Sequence, residues 1–233
     1  MSLSNRTLQI LNVLTVLLLV VNTALIFLYA PLERTMGEVQ RIFYFHVGVA
    51  WVGMAAFVVT LVAGVLYLRT GNLRWDRLGA ASVEIGLLFT FLTIVSGSVW
   101  ARPAWNTWWT WDPRLTTYTI MALIYIAYLM LRQGIDDPNR RARFAAVYGI
   151  VGFISVPITF FAIRIWRTIH PAVIGTGSET AQGGFDMTQP MVVVLLFSVA
   201  TLSVLYVCLM ANRLQLAKLA ERVEQLKARI LSA

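Results

Sequence analysis

Apolar residues gather along this chain into six long stretches separated by short polar connections. The stretches fall at about 9–29, 45–68, 79–99, 115–131, 144–163 and 190–211, and Pro31 closes the first. Crossing a bilayer takes about 20 consecutive, mostly apolar residues in a helix. The pattern therefore predicts an all-α polytopic membrane protein with six transmembrane helices. The first apolar run is too long for a signal-peptide core and carries no small-residue cleavage pattern, so it is read as a retained span. Residues 1–211 form the six-span domain, and residues 212–233 turn polar with a helical pattern. Within that tail Leu216, Leu219, Val223, Leu226 and Ile230 step by three and four. This is an a/d pattern over about two heptads, and it predicts a cytoplasmic amphipathic helix continuing from span six. Docking on a partner, self-association and lying on the lipid surface all fit that face.

Composition agrees with the pattern. Of 233 residues, 58% are hydrophobic and 13% charged, a membrane profile that leaves no room for a soluble catalytic domain. The formal net charge of +8 does not point to nucleic acid, because no basic stripe or binding motif accompanies it. Loop topology explains the charge instead. Thirteen Lys and Arg residues fall in the N-terminus, the second and fourth connections and the tail. Six fall in the other connections, at Arg34, Arg41, Arg102, Arg114, Arg164 and Arg167. The richer set is expected to be cytoplasmic, which puts both termini inside. The lone Cys208 lies inside the last apolar run and reads as a small core residue.

The third connection, residues 100–116, reads WARPAWNTWWTWDPRLT and holds five of the eight tryptophans. One or two Trp residues anchor a span at the membrane interface, and five exceed that need. A flat, largely apolar ligand would stack on the surface they make. Arg102, Asp112 and Arg114 add a few placed charges, the usual composition of a small-molecule pocket. An aromatic belt with incidental charges is the plainer alternative. By the charge count this loop faces outward.

The only histidines, His46 and His170, both fall on that outward side. Neutral imidazole ligates iron readily, and two such side chains on opposite faces of a porphyrin fill both axial positions. Two interfacial polar residues bonded to backbone are the alternative. Arg164 and Arg167 precede His170 at three-residue spacing, and Arg41 lies five residues before His46. Each is placed to hold a haem propionate or to snorkel at a membrane edge.

The segment WNTWWTWDPRLT resembles the tryptophan-rich WWD signature of haem-handling proteins in cytochrome c biogenesis. RIFYFH and PITFFAIRIWRTIHP stand where the cytochrome c maturation protein C (CcmC) family has its two histidine segments. The resemblance extends to about residue 211. The chain departs from the family's common pattern at Gly48, at Ile165-Trp166 and at Pro171. The resemblance implies a bacterial inner-membrane protein that binds haem b at the outer face and presents it to a periplasmic haem chaperone (CcmE). It implies His46 and His170 as axial ligands, and haem contact by Trp105, Trp108, Trp109, Trp111 and Asp112. It further implies assembly with ABC-type transporter subunits (CcmA and CcmB) and a small accessory subunit (CcmD). Such a subunit transfers haem and is not expected to be an enzyme, although lyase-like attachment of haem to the chaperone stays open. A b-type electron-transfer cytochrome is the alternative from another class, but no histidine lies at mid-membrane depth. A channel or substrate transporter has thin support, since only Glu84 places a charge inside a span.

Overall fold

Local sequence signals set the helix ends. Gly71 takes the left-handed conformation (φ 63°) and donates its N–H to the Tyr67 carbonyl at 2.8 Å, while the Asn72 side chain caps the next helix through Arg74 N–H at 3.0 Å. Asp112 and Asp137 cap the helices opened by Pro113 and Pro138, where a residue without an N–H loses nothing. The computed structural model describes residues 4–33, 36–171 and 187–231. Arg34 of the charge count, with Ser232 and Ala233 of the tail, lies outside them.

The elements run in order α1 (Asn5–Ala24), extended by a π-helical turn (Leu25–Tyr29), a 3-10 turn (Glu38–Gln40), and α2 (Arg41–Thr70). There follow α3 (Leu73–Trp105), α4 (Pro113–Gln133), α5 (Pro138–Gly152), α6 (Ser155–Ile165) and α7 (Gln189–Leu231). No strand occurs among the described residues, and six segments are long and apolar enough to cross a membrane, with α5 and α6 together forming one, Pro138–Ile165. The protein is an all-α polytopic membrane protein.

Two boundaries differ from the apolar pattern. The fifth span is interrupted at Phe153 and Ile154. Pro157 has no N–H to give the Phe153 carbonyl, and its ring would strike that carbonyl in a continuous helix. The Phe153 carbonyl instead accepts from Val156 N–H at 2.9 Å. The third span runs on to Trp105, so the Trp-rich connection shrinks to Asn106–Trp111 before the Asp112 cap.

The centre of the bundle is the antiparallel pair α2 and α3. A Cβ on Gly86 would stand 2.9 Å from the Ala56 Cβ, so glycine there lets the two backbones close up, as small residues do between membrane helices. The Ser82 hydroxyl lies 2.6 Å from the Ala56 carbonyl and 2.7 Å from the Tyr206 hydroxyl, joining α2, α3 and α7. Phe57 and Tyr125 stack at 3.6 Å between α2 and α4. Two ion pairs lie between helices. Glu84 accepts from Arg213 of α7 at 2.6 and 2.8 Å, and Asp76 receives a forked bond from Arg132. Cys208 is buried, its thiol 3.0 Å from Asn12 Oδ1 of α1. The helices alternate in direction, so the connection after α3 and the segment after α6 meet at the same end as the start of α2.

Candidate functional site

At that end α2, α3, α4 and α6 enclose a partly open cavity of about 310 Å³, at the lower end of the roughly 300–1,000 Å³ of small-molecule sites. Its walls are mainly aromatic and aliphatic, with His46, His170, Arg114 and Arg164 as the basic groups and no Asp or Glu among the lining residues. A hollow of this sign suits a flat apolar ligand carrying negative charge.

His46 projects from the second turn of α2 onto α3. A Cβ at Gly97 would come within 2.8 Å of its Cε1, so the imidazole rests in a seat that only glycine leaves open. Its Nδ1 lies 3.0 Å from Ser96 Oγ, and that hydroxyl already donates to the Leu92 carbonyl at 2.7 Å. The hydroxyl therefore accepts, and His46 Nδ1 carries the proton. His170 Nδ1 lies 3.0 Å from the Pro171 carbonyl, which can only accept. Both rings are thus held with Nε2 unprotonated, the form that binds a metal. Burial lowers the His170 pKa to about 3, with the Arg114 guanidinium and the His46 ring acting in the same direction.

The two ring centres stand 6.5 Å apart with 38° between planes. A metal about 2 Å from each Nε2, with each ring centre about 1 Å further back, requires a separation of about 6 Å. No group of three or more His, Cys, Asp or Glu gathers around a metal position among the described residues. Two imidazoles alone fall short of a zinc site.

The tryptophans do not form one flat surface. Trp100 and Trp105 pack edge to face at 4.9 Å and 90°, and Trp109 and Trp111 at 5.7 Å and 81°, as ring quadrupoles favour. Trp105 also meets the His170 ring at 6.5 Å. Trp100, Trp105, Trp108 and Trp109 line the cavity, while Trp111 is 72% exposed and stands outside it. The buried Nε1–H groups of Trp100 and Trp109 have no hydrogen-bond partner among the described residues.

The charged residues separate by position. Arg114 lines the cavity and donates to the Thr159 and Phe160 carbonyls at 2.5 and 3.0 Å, tying α4 to α6. Arg164 lines the cavity from α6. Arg102 turns away, capping α3 through the Asn106 carbonyl and side chain at 2.7 and 2.5 Å. Arg41 bonds Glu38 and the Ile26 carbonyl beside the π-helical turn, and Arg167 is exposed. Neither is among the lining residues. Asp112 is also absent from the wall. One of its oxygens caps α4 through Leu115 N–H at 3.0 Å, and the other accepts from Thr168 Oγ1.

Sequence reading had not singled out Gly97, Ser96, Trp51, Tyr118 or Phe160 as parts of the site. The run Ser96-Gly97-Ser98 in the middle of an apolar span was the available signal, because small residues there mark a close approach. Trp51, Tyr118 and Phe160 read as ordinary core.

A family model described as "Heme exporter protein C" matches residues 1–229. A relative of that description from Bradyrhizobium diazoefficiens is 34% identical over 97% of this chain and 84% of its own length. One from Escherichia coli is 32% identical over 70% of this chain and 65% of its own. A putative cytochrome c biosynthesis ccmC-like mitochondrial protein of Arabidopsis thaliana is 35% identical over 60% of this chain and 53% of its own.

Proposed function

The chain belongs to the heme exporter protein C family, and from that premise we propose that it holds haem b between His46 and His170 and hands it to a haem chaperone. Membership carries a role in haem handling for cytochrome c biogenesis. The single observation behind the finer reading is the pair of imidazoles, their ring centres 6.5 Å apart and each with its Nδ1 engaged, in a cavity walled by indoles.

The residues divide the task. His46 and His170 bind iron from opposite faces. Trp105, Trp108 and Trp109 cover the apolar macrocycle, and the indole N–H groups of Trp100 and Trp109 with Arg114 and Arg164 meet the anionic propionates. The uneven distribution of Lys and Arg supports an orientation with both termini cytoplasmic and the cavity at the periplasmic face of a bacterial inner membrane. There the partly open cavity leaves one edge of the cargo accessible to a periplasmic chaperone. ABC-type transporter subunits and a small accessory subunit complete the assembly. The chain's own part is binding and transfer, with the covalent attachment made on the chaperone.

The test is chaperone loading in cells. Covalent haem on the chaperone is measured by haem stain with the wild-type chain and with His46→Ala and His170→Ala. Both substitutions should abolish loading while the protein stays in the membrane at normal level. Normal loading in both removes the proposal.

A further inference from the structure

Away from the cavity, α7 carries a surface that haem binding does not use. No Pro or Gly interrupts it between Met191 and Leu231, so no common cause of a kink is present. The 20 residues from 212 to 231 continue the direction of the span for about 30 Å at ~1.5 Å per residue. Arg213 is tied to Glu84, and Glu221 to Arg77 at 3.0 Å, so α3 fixes the base of this extension. Along it Leu216, Leu219, Val223, Leu226 and Ile230 are all exposed, from 49% to 75%. A stripe of five apolar side chains at heptad spacing, left in water, needs a cover.

The flanks of the stripe say what kind. With Leu216 at an a position, the flanking e and g positions hold Gln215, Ala220, Arg222, Lys227 and Arg229. Three are basic and none is acidic. In a parallel pair of two copies, Arg222 of one would face Lys227 of the other. In an antiparallel pair, arginine faces arginine and lysine faces lysine. Both arrangements set like charges against each other, which coiled coils use to reject a pairing. The two acids of the segment sit off the flanks, Glu221 on Arg77 and Glu224 on Lys227 at 2.8 Å. A lipid surface is disfavoured for a different reason. The helix continues its span without a break and has no joint at which to lie flat.

We propose that the exposed face of α7 beyond residue 211 is a docking rail for a partner helix that carries apolar a and d positions and acidic e and g positions. The rail lies at the end of the bundle opposite the cavity, so it would secure a subunit there without touching the cargo.

The test uses the full-length protein in nanodiscs of zwitterionic lipid. Two dye-labelled synthetic peptides of about three heptads carry Leu at a and d, one with Glu and the other with Lys at e and g. Fluorescence anisotropy should show the Glu peptide binding at least ~10-fold tighter. Leu219→Asp with Leu226→Asp should abolish that binding while haem content stays unchanged. Reversing Arg222, Lys227 and Arg229 to Glu should move the preference to the Lys peptide. Equal binding of both peptides, or no change of preference on reversal, overturns the proposal. So does self-association in detergent that Leu219→Asp with Leu226→Asp removes, which would assign the face to a second copy. A fluorophore at position 226 that becomes lipid-buried in anionic nanodiscs would assign it to the membrane and overturn the proposal equally.

Discussion

Asp112 and Thr168 join the start of α4 to the turn after α6: the carboxylate that caps α4 accepts the Thr168 hydroxyl proton, and the same hydroxyl oxygen takes the His170 backbone N–H at 3.1 Å. The aspartate of the Trp-rich motif thereby fixes the backbone that carries the second histidine. It reaches the site through Thr168, which is 3% exposed, and not through the cavity wall. Thr168→Val keeps the shape and deletes the hydroxyl. Haem content of the purified protein should fall several-fold while α-helical content stays constant, and Thr168→Ser should restore most of it. Asp112→Asn keeps a good cap but turns one acceptor into a donor. It should lose haem with little loss of stability, whereas Asp112→Ala should also cost about 1 kcal/mol for the cap.

Gly97→Ala tests the seat of His46. The added methyl stands 2.8 Å from Cε1 and 3.4 Å from Nδ1, so the ring must move or tilt away from Ser96. Overpacking of this kind costs about 1–3 kcal/mol, partly offset by about 1 kcal/mol of helix propensity gained. The expected outcome is a protein of near-normal thermal stability whose haem absorption spectrum is altered or weak.

The arginines separate by partner. Arg164→Gln removes a cationic wall residue and should weaken haem retention several-fold in a competition with apomyoglobin, with the same axial ligands seen in the spectrum. Arg102→Gln loses a helix cap at Asn106 and should leave retention unchanged. Arg114→Met should do more than either. It removes a cation from the wall and the two bonds that tie α4 to α6, at about 1.5–3 kcal/mol for a hydrogen bond from a charged group, so melting temperature and haem retention should fall together.

Mild acid should leave the His170 ring neutral. Its pKa is lowered to about 3, against about 6.5 in the unfolded chain. The folded protein therefore refuses a proton that the unfolded chain accepts between those values. The contribution of His170 to stability is full above pH ~6.5 and declines as pH falls toward 3. Carbon NMR of the labelled His170 ring in the haem-free protein should show the neutral Nδ1–H form throughout pH 8 to 5. A titration centred near 6.5 would show the ring to be solvated.

The six spans were legible because length and apolarity alone specify a crossing helix. The interruption at Phe153 was not, since an apolar run looks the same whether or not Pro157 breaks its hydrogen bonding. The Trp-rich stretch was legible as a connection, but Arg102 and Asn106 carry α3 six residues beyond the expected end through a cap that periodicity does not register. That His46 and His170 share one end of the bundle followed from counting basic residues in connections. Their approach to 6.5 Å depends on Gly97, Ser96 and the Asp112–Thr168 link, none of which has a pattern of its own. Arg41 and Arg102 looked equivalent to Arg114 and Arg164 in sequence. Side chains of that length serve whichever carbonyl or carboxylate the fold brings near, and only the packed structure separates the two pairs.

The most direct measurement is low-temperature electron paramagnetic resonance of ferric haem in the purified full-length protein, with His46→Gly and His170→Gly recorded beside wild type. The wild-type spectrum should be that of low-spin iron with two imidazole ligands. Each glycine variant should turn high-spin or lose haem, and added free imidazole should restore the low-spin signal. A low-spin signal unchanged in both variants would contradict the account.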